Sequence, residues 1–222
     1  MIFDWGGTLT PWHVIDPAKL WAWVCEPHFP SAEAAEYAAA LLAAEAELWQ
    51  LCKTDQRSAT LSQVFELAGV AVTDAVLDSY VRAWEPHTYT DPEASELLAY
   101  LGARDIRVGV LSNTMWPRSW HEEIFQRDGV LELIDGAVYT SEIDWTKPHH
   151  EAFQAAMAAI GVTDPTRCVF VGDRPYDDVF GAKSIGMRAV LIPNDDVPSY
   201  ESVTPDAVVS RLSELAPLIE SW

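Results

Sequence analysis

Met1-Ile2-Phe3-Asp4-Trp5-Gly6-Gly7-Thr8-Leu9 opens the chain with an apolar run, a carboxylate and then a glycine-rich turn. An aspartate directly after an apolar strand stands where an open parallel sheet gathers its ligand-binding groups, outside the carboxyl ends of the strands. Only three residues precede Asp4, against about five in a usual strand. Either the first strand is short or the natural chain begins a few residues earlier. Gly6 and Gly7 allow close backbone approach to a bound group, with N–H groups free to donate to it.

Four further apolar runs follow, at 106–111, 136–139, 168–171 and 188–192, with a weaker one at 207–209. Helical patterns at 151–161 and 179–186 lie between them, and each closes on a glycine, Gly161 and Gly186. Such glycines commonly end helices. Strands alternating with helices predict βαβ units and a parallel sheet covered on both faces. The stretch 17–87 differs, being rich in Ala, Leu, Glu and Trp without a β-branched run. It predicts a long helix over 31–53, a second opened by a Thr60/Gln63 capping box, and a third over 75–84. The expected architecture is therefore α/β, a doubly wound parallel sheet carrying an inserted helical domain. The sheet domain would comprise 1–16 and 88–222, and the helical domain 17–87.

Polar clusters fall at the predicted strand ends. Asp4 follows the first run, Ser112-Asn113-Thr114 the second, Lys147-Pro148 lies beyond the third, and Gly172-Asp173-Arg174-Pro175-Tyr176-Asp177-Asp178 follows the fourth. Each is ordinary alone. Asp177 and Asp178, for instance, would suit any helix start. Together they suit phosphoryl transfer to an aspartate. A carboxylate nucleophile forms an acyl phosphate and divides one hard displacement into two. Mg²⁺ neutralises the meeting anions and favours a few carboxylates, which Asp4 and Asp173 can supply. Lys147 adds fixed positive charge, and Ser112 adds a hydroxyl donor to phosphate oxygens.

This ordered set resembles the haloacid dehalogenase (HAD) superfamily over 1–10 and 90–195, with the helical segment resembling that family's small cap domain. The resemblance implies Asp4 as nucleophile and metal ligand, and the backbone carbonyl of Gly6 as another ligand. Trp5, Gly6, Gly7, Ser112, Asn113 and Lys147 would bind the phosphoryl group. Asp173 would bind metal directly, and Asp177 and Asp178 would act in its outer shell or hold Lys147. The metal-binding form of the last motif argues against carbon–halogen cleavage.

One position departs from the pattern. Phosphatases of this family read Asp-x-Asp-Gly-Thr, the second Asp being the general acid/base, and here Gly6 stands in its place. The expected function is hydrolysis of a small phosphorylated molecule, with the proton donor drawn from elsewhere or not needed for a good leaving group. His13 is a candidate substitute, having a suitable ordinary pKa. Two alternatives stay open: a phosphate-ligand-binding or regulatory protein with little turnover, and a phosphonatase-like carbon–phosphorus hydrolase using Lys19 or Lys53 for an imine. Trp12, Trp21, Trp23, Trp49 and Trp84 could line a pocket for an apolar or cyclic leaving group, or simply pack the helices.

Composition bounds the partners. Hydrophobic residues make up 49%, and 34 acidic against 14 basic residues give a net charge of -20. That argues against nucleic acid, whose phosphates require clustered Lys and Arg. Cys25, Cys52 and Cys168 are too widely spaced for a metal site or a disulfide framework. No run approaches the ~20 apolar residues of a membrane helix, and no signal peptide is visible. A cytoplasmic protein is expected.

Overall fold

The computed structural model describes residues 1–200 and 202–222. Its centre is a six-stranded parallel sheet: β1 (Ile2–Phe3), β2 (Gly109–Ser112), β3 (Gly136–Tyr139), β4 (Val169–Gly172), β5 (Arg188–Leu191) and β6 (Ala207–Val208), in the order β3-β2-β1-β4-β5-β6. The expected α/β sheet is present, and β1 is short. β1 nevertheless lies centrally, with Phe3 paired to Val110 on one side and Val171 on the other. The Asp4 N–H donates to the Val171 carbonyl at 2.9 Å, so pairing runs one residue past the strand. The strand order reverses at β1, which puts Asp4 at the switch point where such sheets bind ligands.

Alternation along the strands divides the core. Phe3, Val110, Val171 and Val190 face α5 (Ala94–Gly102) and α9 (Leu215–Glu220), whereas Ile2, Leu111, Phe170 and Ala189 face α7 (His150–Ala159). β2 begins at Gly109 rather than at residue 106. The Asp135 carboxylate accepts the Val108 N–H at 2.7 Å, which ends the approach segment and sets the register with β3. The helix predicted over 179–186 is shorter than expected. A π-helical turn, Pro175–Phe180, precedes a single α-turn, α8 (Gly181–Ser184).

Between β1 and α5 lie four α-helices, α1 (Pro17–Cys25), α2 (Ser31–Asp55), α3 (Leu61–Ala68) and α4 (Asp74–Trp84). Asp16 caps α1, Thr60 and Gln63 form the expected capping box on α3, and Thr73 caps α4. Trp21, Leu41, Val64, Phe65 and Tyr80 bury against one another between them. Met115 and Trp116, from the loop after β2, belong to the same cluster, so the helical block rests on the Ser112 loop. Among the described residues no helix is long and apolar enough to cross a membrane.

Candidate active site

The turn after β1 is tied by its own backbone. The Trp5 carbonyl accepts from Thr8 and Thr10, and the Gly7 N–H donates to the Thr10 carbonyl at 2.8 Å. This fold-back needs a left-handed residue, which Gly7 supplies at φ +85°. Its bare Cα is needed for a second reason, because a Cβ there would overlap the Asp173 carboxylate. Gly6 is different. A Cβ at that position meets no atom within 4 Å, and Gly6 lines the cavity above Asp4.

Asp4 is buried, and its Oδ1 lies 2.7 Å from the Lys147 ammonium, which also contacts Asp178 Oδ1 at 2.7 Å. Burial alone would lower the lysine pKa, but Asp178 and Asp4 together reverse that and hold it above its ordinary value. Lys147 therefore stays charged. Its position is set by Asn113, whose side-chain amide accepts the Lys147 N–H at 2.8 Å and donates to the Lys147 carbonyl at 3.0 Å. Sequence reasoning placed Asn113 on the phosphate. The structure adds a second task, bonding the backbone of the lysine, while Asn113 also lines the cavity above Asp4.

Asp4, Asp173 and Asp178 each offer a carboxylate oxygen, and these oxygens lie within 4.8 Å of one another. Burial first, and then the negative charge of Asp4, raise the Asp173 pKa above the ordinary carboxylate value. Asp178 is raised by burial too, with Lys147 opposing. Asp178 is fully used, pairing with Lys147 through Oδ1 and accepting the Arg174 N–H through Oδ2 at 2.9 Å. Asp173 accepts from Asn194 Nδ2 at 3.0 Å through Oδ2, while its buried Oδ1 has no partner. An orphaned carboxylate oxygen in such a site costs free energy unless a cation or donor meets it. The set fits a divalent cation held by Asp4 and Asp173, with Asp178 behind them.

Ser112 is buried at the end of β2 and lines the same cavity as Asp4, Trp5, Lys147 and Arg174. Asp177 is only partly buried and lies outside the three-carboxylate cluster, facing a neighbouring cleft that Lys53 also lines. His13 is not brought to Asp4. It is exposed in the segment leading to α1, and its ring lies edge-on to His87 with centroids 5.2 Å apart. Lys19 is exposed and paired with Asp16, and Lys53 is exposed near the end of α2. Neither lines the cavity above Asp4.

Three contributors escaped the sequence reading. Arg174 lines the cavity and sits over the Trp12 ring at 5.5 Å. Asn194 orients Asp173 from the segment after β5. Glu45 reaches the cavity from the middle of α2. Arg174 adjoins Asp173 and was within reach of motif reasoning, but nothing local marks Glu45 or Asn194.

A family model described as haloacid dehalogenase-like hydrolase matches residues 1–186. The chain belongs to this family. A glyceraldehyde 3-phosphate phosphatase of Methanothermobacter thermautotrophicus is 32% identical over 46% of this chain and 43% of its own length. A phosphoserine phosphatase of Thermus thermophilus is 31% identical over 56% of this chain and 49% of its own. The chain thus spans about half the length of the curated relatives it matches. Among solved structures, a 2-haloacid dehalogenase of Pseudomonas syringae aligns with TM-score 0.70 at 22% identity, over 100% of this chain and 97% of that one. A HAD phosphatase of Thermococcus onnurineus aligns with TM-score 0.68 at 20% identity, over 98% and 96%. These likenesses establish the HAD fold, which hosts both chemistries, so the chemistry has to be argued from the site.

Proposed function

We propose that the protein is a metal-dependent phosphatase acting on a small phosphorylated molecule through an aspartyl-phosphate at Asp4. The observation that carries this reading is the buried pairing of Asp4 with Lys147 beside the unpartnered oxygen of Asp173. It combines a carboxylate in contact with a buried cation and a vacant ligand atom. Mg²⁺, when bound, would neutralise charge on the phosphoryl oxygens. Displacement of halide by a carboxylate needs no metal, so a second carboxylate with a vacant ligand atom favours phosphoryl chemistry.

In the first step the Asp4 carboxylate attacks phosphorus and the phosphorus–ester oxygen bond breaks, releasing the alcohol. Lys147 and Arg174 hold the charge that gathers on the phosphoryl oxygens, and Ser112 donates to one of them. Residue 6 offers no carboxyl, so the departing oxygen takes its proton from water. In the second step water attacks phosphorus, phosphate leaves and the Asp4 carboxylate is regenerated. The reading of 17–87 as a cap over this site rests on Glu45, Trp49, Tyr80 and Trp84, which reach the same cavity from α2 and α4. Against an imine route, Lys19 is exposed and paired with Asp16, and Lys53 lines the cleft beside Asp177 and not the cavity above Asp4.

The test is phosphate release from para-nitrophenyl phosphate with Mg²⁺, by the native chain and by Asp4→Asn. Turnover in the native chain and none in the variant is expected. Equal turnover by both would refute the aspartyl-phosphate route. Absence of turnover together with tight binding of a phosphate analogue would point to a binding protein.

A further inference from the structure

The cavity above Asp4 measures about 250 Å³, below the ~300–1,000 Å³ typical of sites for drug-sized ligands. A small metabolite fits it. Its two ends differ in chemistry. Lys147, Arg174 and Ser112 surround Asp4 at one end. Trp12, Trp49, Tyr80, Trp84 and Trp116 line it too, with Glu45 among them, and of these Trp12 lies under the Arg174 guanidinium.

Some donors here are already bonded, whereas Trp5 Nε1 and Trp84 Nε1 are buried without a partner. Trp116 Nε1 donates to the Tyr80 hydroxyl at 3.1 Å, and Trp21 Nε1 donates to Glu45 Oε2 at 2.8 Å. The rings brace one another, Trp84 against Trp116 at 5.1 Å between centroids and Tyr80 against Trp84 at 6.2 Å. What remains on offer is ring surface together with those two N–H groups. Glu45 is the exception. Only Trp21 bonds it, and no lysine, arginine or histidine among the described residues lies within ion-pair distance. Burial lifts its pKa, with the Trp21 bond opposing. Glu45 is partly buried, and a partly desolvated carboxylate without a cation gains when a ligand brings one. Aromatic faces around a single negative charge are the recognised surroundings of organic ammonium groups.

We propose that this end of the cavity is a subsite for an alkylammonium group, so that the substrate is a small phosphate ester of an amino alcohol. The proposal rests on the phosphatase reading of Asp4 and gives it a substrate class. Glu45 is its specificity-determining residue, supplying charge, while the aromatic walls accept the nitrogen's alkyl groups. The class also suits the glycine at position 6. A cation close to the departing oxygen stabilises the negative charge forming there, which lessens the need for a proton donor.

The experiment compares choline phosphate with dimethylbutyl phosphate, its neutral carbon isostere, by steady-state phosphate release with Mg²⁺. The native protein is expected to favour choline phosphate by ~10-fold or more in kcat/KM, and Glu45→Gln, which retains a group to accept from Trp21, is expected to remove most of that preference. A native ratio within about twofold of unity, or a preference that survives Glu45→Gln, overturns the subsite. Para-nitrophenyl phosphate separates the two readings, because its hydrolysis without any preference for the cation leaves the phosphatase standing and removes the subsite. If none of the three esters turns over, the dissociation constants of choline phosphate and dimethylbutyl phosphate are measured by tryptophan fluorescence. Tighter binding of the cation supports the subsite although the phosphatase reading has failed, and equal binding overturns it.

Discussion

Gly6→Asp should turn this site into a faster alkyl phosphatase. The substitution adds a carboxyl to the cavity beside Asp4, where the family's phosphatases carry their general acid. Room exists for it, since a Cβ at residue 6 meets no atom within 4 Å and the backbone there is not left-handed. A well-placed general acid is worth ~10²–10⁴ in rate, or about 3–5 kcal/mol of barrier. The gain should concentrate on alkyl esters, whose leaving oxygen needs a proton. Aryl esters, whose leaving oxygen is already a stable anion, should gain little. The negative charges of Asp4 and Asp173 should raise the new group's pKa and so favour its acid form.

The assay is kcat for an alkyl phosphate and for para-nitrophenyl phosphate, each with the native chain and the variant across pH. The alkyl-to-aryl ratio should rise by at least ~10-fold, with a new alkaline limb where the added acid deprotonates. Folding should not suffer. Replacing a glycine in a permitted conformation contributes about 0.4–1 kcal/mol through the unfolded chain, offset by repulsion among the carboxylates. An equal gain on both esters would show that residue 6 acts through charge or position and not by proton donation. No gain in a folded variant that still depends on Asp4 would mean that the leaving group already receives its proton.

Two further outcomes concern groups that bear the fold's charge. Lys147→Met strips Asp4 and Asp178 of their buried counter-charge, and breaking a buried pair costs about 3–5 kcal/mol. Urea unfolding should register that loss together with loss of turnover, and a loss under about 1 kcal/mol would mean that the carboxylates simply take up protons. His121 is fully buried among Trp5, Trp116 and Tyr139, and burial lowers its pKa to about 3, with Arg118 assisting and the Pro117 carbonyl opposing. The unfolded chain binds this proton first as pH falls through ~6.5, so the stability His121 contributes at neutral pH is lost below that value, by about 2 kcal/mol at pH 5. His121→Phe should remove this dependence, and the native-minus-variant stability difference, in which the site carboxylates cancel, should rise by about 2 kcal/mol from pH 5 to pH 7.5. A flat difference between pH 7.5 and pH 5 would refute a neutral buried histidine.

Much of the sheet was legible because each strand carries its own apolar run and each polar cluster follows one directly. Asp4, Ser112, Lys147 and Asp173 needed no partner to be noticed, since the rule that ligands gather at carboxyl strand ends places them together once the sheet is assumed. The Thr60 and Gln63 cap was legible for the same reason, being a contact three residues apart. The bonds of Asn113 to the Lys147 backbone were not legible, because a side-chain amide suits phosphate and backbone equally and only the approach of the Lys147 loop creates them. The pairing of His13 with His87 was not legible, because nearness along the chain says nothing about where an exposed linker points its ring.

The sequence by itself determined the periodicity of strands and helices, the order of the acidic and basic motifs, and the absence of a carboxyl at residue 6. These are local properties, written in single residues and their immediate spacing. Tertiary structure alone decided that Gly6 faces open space whereas Gly7 is pressed against Asp173. It likewise decided that the aromatic residues of α2 and α4 turn toward Asp4, and that Glu45 stands among them without a cation. Those are distances between segments far apart in the chain. They are set by how the helices pack on the sheet, which no local pattern records.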